Sequence, residues 1–272
     1  LKKIGLLGCG AIGTQIALAI DSGKIPASLT HVYDESKDAA ESLVSKLNNK
    51  PEIVANHHLL SSHSVDIVVE AASQEAVKDA ALSVLQNRRD LLVMSVGAFL
   101  DESIFDVLSD ACKEFKKTIY LPSGAIGGLD AIKSVRDELE SIAITTTKHP
   151  RSLKGAEFFE NSNVDLDSLK KSTVIFEGTA KQAVNLFPKN INVSALLPLS
   201  GIGSENTKVR IVVDPDTDKN THQIQAKGKF GEMKFTISNY PDPNNPKTSR
   251  LAILSAIETL RKYCSDEIKI GT

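Results

Sequence analysis

"KKIGLLGCGAIGTQIALAIDSG", Lys2 to Gly23, is the stretch whose reading decides the fold. A short apolar run, Ile4–Leu7, meets Gly8-Cys9-Gly10-Ala11-Ile12-Gly13. A helical pattern follows, with Ile12, Ile16, Ala19 and Ile20 on one side, and Gly23 ends it. The three glycines have separate jobs in such a strand-to-helix turn. Gly8 permits the tight turn, Gly10 lets the backbone approach a pyrophosphate, and Gly13 lets the helix pack closely on the strand. The free N–H groups at the helix start, from Ala11 and Ile12 onward, favour phosphate charge. A glycine pattern alone is weak. Here a second strand, Leu29–Tyr33, ends in Asp34, roughly 20 residues beyond the last glycine, where a carboxylate hydrogen-bonds adenine ribose hydroxyls. Motif, flanking elements and acid agree on a dinucleotide site. Asp34 repels a 2′-phosphate, which favours NAD over NADP; Lys37, close in sequence, can soften that preference and keeps NADP open.

Outward from this motif the alternation continues. Helix Lys37–Leu47 leads to a short strand near Ile53–Val54. "VDIVVEAAS", Val65–Ser73, reads as a buried strand, followed by helix Gln74–Gln86, strand Leu91–Ser95, helix Asp101–Phe115 and strand Thr118–Leu121. Near-continuous apolar strands alternating with helices imply a parallel sheet covered on both faces, a doubly wound Rossmann domain. Ligands of such sheets sit at the carboxyl ends of the strands. The segments there are Ala71–Ser73, with Ala72 a cofactor candidate, Ser95–Ala98 and Pro122–Gly128. Small residues in them suit a flat nicotinamide ring, though βα turns need small residues in any case.

Bulk properties exclude several classes. At 272 residues the chain can fold one large or two modest domains. A formal net charge of -2 argues against nucleic-acid binding. No run reaches the roughly 18 apolar residues of a membrane span. The basic, glycine-broken start reads as a strand rather than a signal peptide, and the absence of an initial Met suggests processing or trimming. Three dispersed cysteines, Cys9, Cys112 and Cys264, suit reduced thiols in a cytoplasm. His, Cys and acids show no metal-ligand spacing, so no metal is expected.

After Pro122–Ala131 the rhythm changes. Strand candidates are Leu139–Thr147, Val174–Phe176, Val209–Val213, Gln223–Lys229 and Met233–Ile237, with helices near Thr179–Leu186 and Val193–Leu199. A mixed or antiparallel sheet with helices on one face is expected: an α+β substrate and dimerisation domain over 124–244. The first domain, 1–123, would be joined by a last helix within 245–272 that starts at Pro246, capped by Asn244 or Asn245.

Several motifs converge at this point. With the glycine loop and Asp34 come "PSGAIGGLDA" (122–131), "TTKHPRSL" (146–153), "FPKNINVSA" (187–195), "NTHQIQAKGKFG" (220–231) and "NPKTSRLAILSAI" (245–257). Together they resemble the L-aspartate dehydrogenase family over nearly the whole chain. The resemblance implies a homodimer that oxidises L-aspartate to iminoaspartate with NAD(P), the imine hydrolysing to oxaloacetate and ammonia or feeding NAD biosynthesis. It puts the catalytic histidine at His222 and cofactor contacts at Ala125 and Asn192. The chain departs from the pattern at Lys148, where arginine is usual; a point charge replaces a bidentate fork.

Hydride loss from Cα requires a neutral amine, and hydrolysis requires an activated water. Histidine's ordinary pKa suits both tasks. Of the six histidines, His57, His58 and His63 fall in a polar loop, His31 in a strand, and His149 is the second candidate base. Two substrate carboxylates need cations or N–H donors. Lys247, Thr248 and Ser249, in the expected first turn of the last helix, meet that need, with Lys148 and Arg151 as further candidates. Two other readings stay open: a dehydrogenase of homoserine or semialdehyde type, for which ammonia is irrelevant, and a non-catalytic NAD-sensing protein.

Overall fold

The structure is a computed structural model, and it describes residues 1–62, 64–160, 162, 164–187, 192–243, 245–265 and 268. The chain divides into two units, Leu1–Pro122 with the segment from Ile253 on, and Ser123–Ala252. The stretch 245–252, expected with the first domain, groups with the second.

In the first unit β1 (Lys2–Leu7), β2 (Ala27–Tyr33), β3 (Glu52–Ile53), β4 (Ile67–Glu70), β5 (Asp90–Val93) and β6 (Ile119–Tyr120) form a 6-stranded sheet in the order β3-β2-β1-β4-β5-β6. Every pairing is parallel. Between strands run α1 (Ala11–Asp21), α2 (Lys37–Ser45), α3 (His58–Ser62), α4 (Gln74–Gln86) and α5 (Glu102–Phe115). This is the doubly wound sheet expected of the alternation. Strand β4 is buried along its whole length, as a central parallel strand must be. Ile4, Leu6, Ile16, Ile20, Val32 and Val69 form the centre of its core.

The second unit opens with α6 (Leu129–Ser134) and then builds a mixed sheet. Its strands are β7 (Leu139–Lys148), β8 (Thr173–Thr179), β9 (Thr207–Val213), β10 (Asn220–Gly228) and β11 (Gly231–Asn239), in the order β11-β10-β7-β9-β8. Only β7 and β9 pair in parallel. Helices α7 (Ala180–Leu186) and α8 (Asn192–Ser200) complete it. Along β7, β9 and β10 every second residue is buried, so one sheet face is the core face.

The last helix departs from expectation. Residues from Pro241 form a two-stranded ribbon, β12 (Pro241–Asp242) with β13 (Asn245–Ser249), and α9 spans Arg250–Cys264. Asn245 N–H donates to Asp242 Oδ1 at 3.0 Å, which favours the ribbon over a helical start. Ser249 is the residue that caps α9: its Oγ accepts from Leu251 N–H at 3.1 Å and Ala252 N–H at 3.4 Å. Farther along α9, Tyr263 donates to Asp90 Oδ2 at 2.9 Å. No helix among the described residues is long and apolar enough to cross a membrane.

Candidate active site

The glycine loop in the first unit uses each glycine differently. Gly8 has φ +100°, and a Cβ there would lie 2.6 Å from the carbonyl oxygen of Ala71. A Cβ on Gly13 would lie 2.0 Å from the carbonyl oxygen of Gly8. Both glycines are therefore demanded by backbone packing. A Cβ on Gly10 would meet nothing within 4 Å. Packing does not explain Gly10; clearance for a ligand at the start of α1 does, and the cradle fits a pyrophosphate. Asp34 ties the loop down. Its Oδ2 accepts from Cys9 N–H at 2.7 Å and its Oδ1 from Ser36 N–H at 2.9 Å. Cys9 is buried, and burial, with the charge of Asp34 added, pushes its thiol up to about 12, so it is no nucleophile.

A cavity of about 440 Å³ is lined by Gly8, Gly10, Tyr33, Asp34, Ala72 and Ser73, and also by Glu35, His57 and Asp79. Glu35 and Asp79 were not singled out in the sequence, and His57 was placed only in a polar loop. Burial and neighbouring His58 pull the pKa of His57 down, and its Nε2 is buried without a hydrogen-bond partner. Lys37 forms an ion pair with Glu41 at 3.3 Å, leaving the acids to set the sign of the cavity.

Glu70 was also missed. It is 1% exposed at the end of β4 and binds two loops together. Oε1 accepts from Ala72 N–H at 2.8 Å and Ser95 Oγ–H at 2.7 Å; Oε2 accepts from Met94 N–H at 3.1 Å and Ser95 N–H at 3.0 Å. Burial pushes its pKa up and these donors pull it back. All four partners donate, so the anion is the form that fits.

The second unit holds a buried polar cluster at one end of its core face. Ile144 on β7 is opposite Ile224 on β10, and two residues on, Thr146 is opposite His222. One step further on the same face are Lys148, Asn220 and, opposite Asn220 on β11, Asn239. Thr146, Lys148, Asn220, His222 and Asn239 are all buried, with His222 at 1% exposure and Lys148 at 6%. The alternation of each strand sets this face, and the apolar rows below it fix the register. His222 thus lies inside β10, which starts three residues before the strand expected from Gln223. A 3.0 Å hydrogen bond joins its Nδ1 to Thr146 Oγ1. Burial, with the nearby charge of Lys148, pulls the His222 pKa down to about 3, well below the range expected of a resting base. Burial alone pulls Lys148 down to about 8.

His149 follows the strand and is half-buried. Its Nδ1 accepts from Arg151 N–H at 3.1 Å, which makes it a turn cap. His31 faces Glu52 at 3.7 Å. His63 lies outside the described residues. Ala125 is 4% exposed in the glycine-rich turn before α6, and Asn192 is the first residue of α8. The three substrate candidates of the last helix are not in its first turn. Lys247 and Thr248 belong to β13, the side chain of Lys247 lies outside the described residues, and the Ser249 hydroxyl accepts at the cap and donates to Asn239 Oδ1. Among the described residues no group of three or more His, Cys, Asp or Glu could hold a metal ion.

A Rossmann unit with a nucleotide cradle, on one chain with a sheet that buries a lysine beside a histidine, has the make-up of a nicotinamide-dependent dehydrogenase. Comparison with known proteins narrows the class. Residues 8–122 match the family described as homoserine dehydrogenase, NAD binding domain, and residues 130–263 match aspartate dehydrogenase, C-terminal. L-aspartate dehydrogenase of Nitrosopumilus maritimus is 74% identical over 272 residues, covering 100% of both chains. That of Methanococcoides burtonii is 46% identical over 273 residues, again covering 100% of both. The crystal structure of aspartate dehydrogenase from Thermotoga maritima superposes with a TM-score of 0.77 at 30% identity, covering 99% of each chain. The chain belongs to the L-aspartate dehydrogenase family.

Two predictions come from this geometry. Gly10→Ala should fold with stability within about 0.5 kcal/mol of native but lose NAD affinity at least ~10-fold by fluorescence titration. Gly13→Ala should lose roughly 1–3 kcal/mol in urea unfolding. Equal stability losses would refute the separate roles. The second concerns His222, whose pKa is about 6.5 unfolded and about 3 folded. Between those values the unfolded chain binds the extra proton, so stability falls as pH drops through that window, by on the order of 4–5 kcal/mol in all. Replacing the histidine, His222→Gln, should flatten the native curve of unfolding free energy between pH 6.5 and 4; superimposable curves would contradict the buried neutral imidazole.

Proposed function

We propose that this chain catalyses the NAD-dependent oxidation of L-aspartate to iminoaspartate, which water converts to oxaloacetate and ammonia, and that His222 is its acid–base residue. The observation that carries this reading is the burial of Lys148 and His222 on one sheet face. NAD, when bound, accepts the hydride from Cα of the substrate. The chain's own residues do the rest. Burial is the larger cause of the depressed His222 pKa and the Lys148 ammonium the smaller; a substrate carboxylate at Lys148 offsets that second part and lifts the imidazole some way toward the range where it can take a proton. With Nδ1 engaged by Thr146, Nε2 is the nitrogen left to take a proton from the substrate ammonium; once it has released that proton to solvent, it can deprotonate the water that attacks the imine carbon after hydride loss.

The acids Asp34, Glu35 and Asp79 around the first unit's cavity support NAD over NADP, because a 2′-phosphate would meet three carboxylates. Ala72, Ala125 and Asn192 complete the cofactor contacts in this reading. Lys247 and Thr248 are retained as substrate contacts of β13, while Ser249, bonded to Asn239 Oδ1, acts through Asn239. The homoserine reading draws on the first unit's family match alone; the match of residues 130–263 favours aspartate. The protein is proposed to work as a homodimer in the cytoplasm. Solvent-facing Gln223, Gln225 and Lys227 on the outer face of the second sheet offer a polar surface for a second copy, and its three cysteines are free thiols.

NADH oxidation with oxaloacetate should require ammonia, and His222→Ala should lose about 10²–10⁴ in kcat with modest change in KM. Turnover of oxaloacetate without ammonia would overturn the amino-acid reading. Equal kcat in both proteins would remove His222 from the chemistry.

A further inference from the structure

Asn239 ends the inward row of β11, after Met233, Phe235 and Ile237. Its carboxamide orientation is dictated by its neighbour. A hydroxyl has one donor and two acceptor sites. Ser249 Oγ accepts from Leu251 and Ala252 N–H at the start of α9, so its one proton goes to Asn239 Oδ1. The oxygen of Asn239 is therefore turned to Ser249 and the NH₂ is turned away. The residue is 8% exposed, and Nδ2 is buried with no hydrogen-bond partner. Buried donors are nearly always satisfied, so a locked and unsatisfied amide indicates a ligand acceptor. Asn239 shares its sheet face with Lys148 and His222. An ammonium and an amide donor on one face are complementary to a carboxylate, which only accepts hydrogen bonds when ionised. An uncharged side chain would not satisfy both.

We propose that Asn239 Nδ2 donates to a carboxylate of the substrate and, with Lys148, makes this a dicarboxylate-selective site, with Ser249 as the positioning residue that fixes the amide. The inference rests on the aspartate reading above and assigns part of its substrate recognition.

The test uses Asn239→Asp at pH 8, which keeps the shape and the acceptor for Ser249 but replaces the NH₂ with an anionic oxygen. KM for L-aspartate should rise about 10–100-fold, with kcat changed less than about 3-fold. Affinity for L-malate, the same skeleton without the amine, should fall by the same factor in calorimetry, and NAD affinity should hold. Ser249→Ala, which leaves the amide but unlocks it, should raise KM by a smaller factor and serves if the first variant does not fold. Native KM and native L-malate affinity in both variants would overturn the proposal while leaving aspartate dehydrogenation intact. If the native protein binds L-malate but does not oxidise aspartate, the aspartate reading fails, and the L-malate affinity of Asn239→Asp still decides the role of Asn239. If it does neither, both fall.

Discussion

A lysine ammonium buried beside a neutral histidine is the constraint on which the second unit depends. Lys148 is 6% exposed, and its pKa falls from 10.5 to about 8, a penalty on the order of 3 kcal/mol for carrying charge at neutral pH. In the proposed function a substrate carboxylate at this group offsets part of that penalty. Burial first, and the charge of Lys148 second, keep His222 neutral. There the same carboxylate relieves only the part of the lowered His222 pKa that Lys148 causes. The apolar rows Ile142–Ala226 and Ile144–Ile224 hold the register that puts these side chains on the core face.

The first unit meets a different demand: backbone loops must be held rigid with almost no side chains. Glu70 does this for the loops at the ends of β4 and β5, with a carboxylate that is 1% exposed and accepts four hydrogen bonds. Asp34 does it for the glycine loop, through Cys9 and Ser36. Gly8 fits against Ala71 because it has no Cβ. Two acids thus preorganise the cradle that a dinucleotide needs, and both act through charge-assisted bonds to backbone N–H groups.

Much of this was legible in the sequence. Glycines in a strand-to-helix turn with an acid after the next strand are local signals, and the parallel sheet followed from near-continuous apolar strands. The start of α9 was not legible, because Asn-Pro followed by polar residues suits both a capped helix and an edge strand; Asp242 and Ser249 decide for the ribbon through their own bonds. The polar cluster was half legible. Along β7, β10 and β11 the inward positions change from apolar to polar at Thr146, His222 and Asn239. The sequence shows three separate changes; only the strand pairing puts them at one end of one face. Glu70 carried a signal in the charge that ends the apolar run "VDIVVE", but its partners are 24 and 25 residues away in Met94 and Ser95.

The most direct measurement is on Lys148→Met, taking unfolding free energy and NAD affinity at pH 7 together with the KM for L-aspartate. If the lysine holds a substrate carboxylate, the folded variant keeps its NAD affinity while its KM for L-aspartate rises at least ~100-fold. A less stable variant that keeps its native KM would contradict this and make Lys148 part of the scaffold.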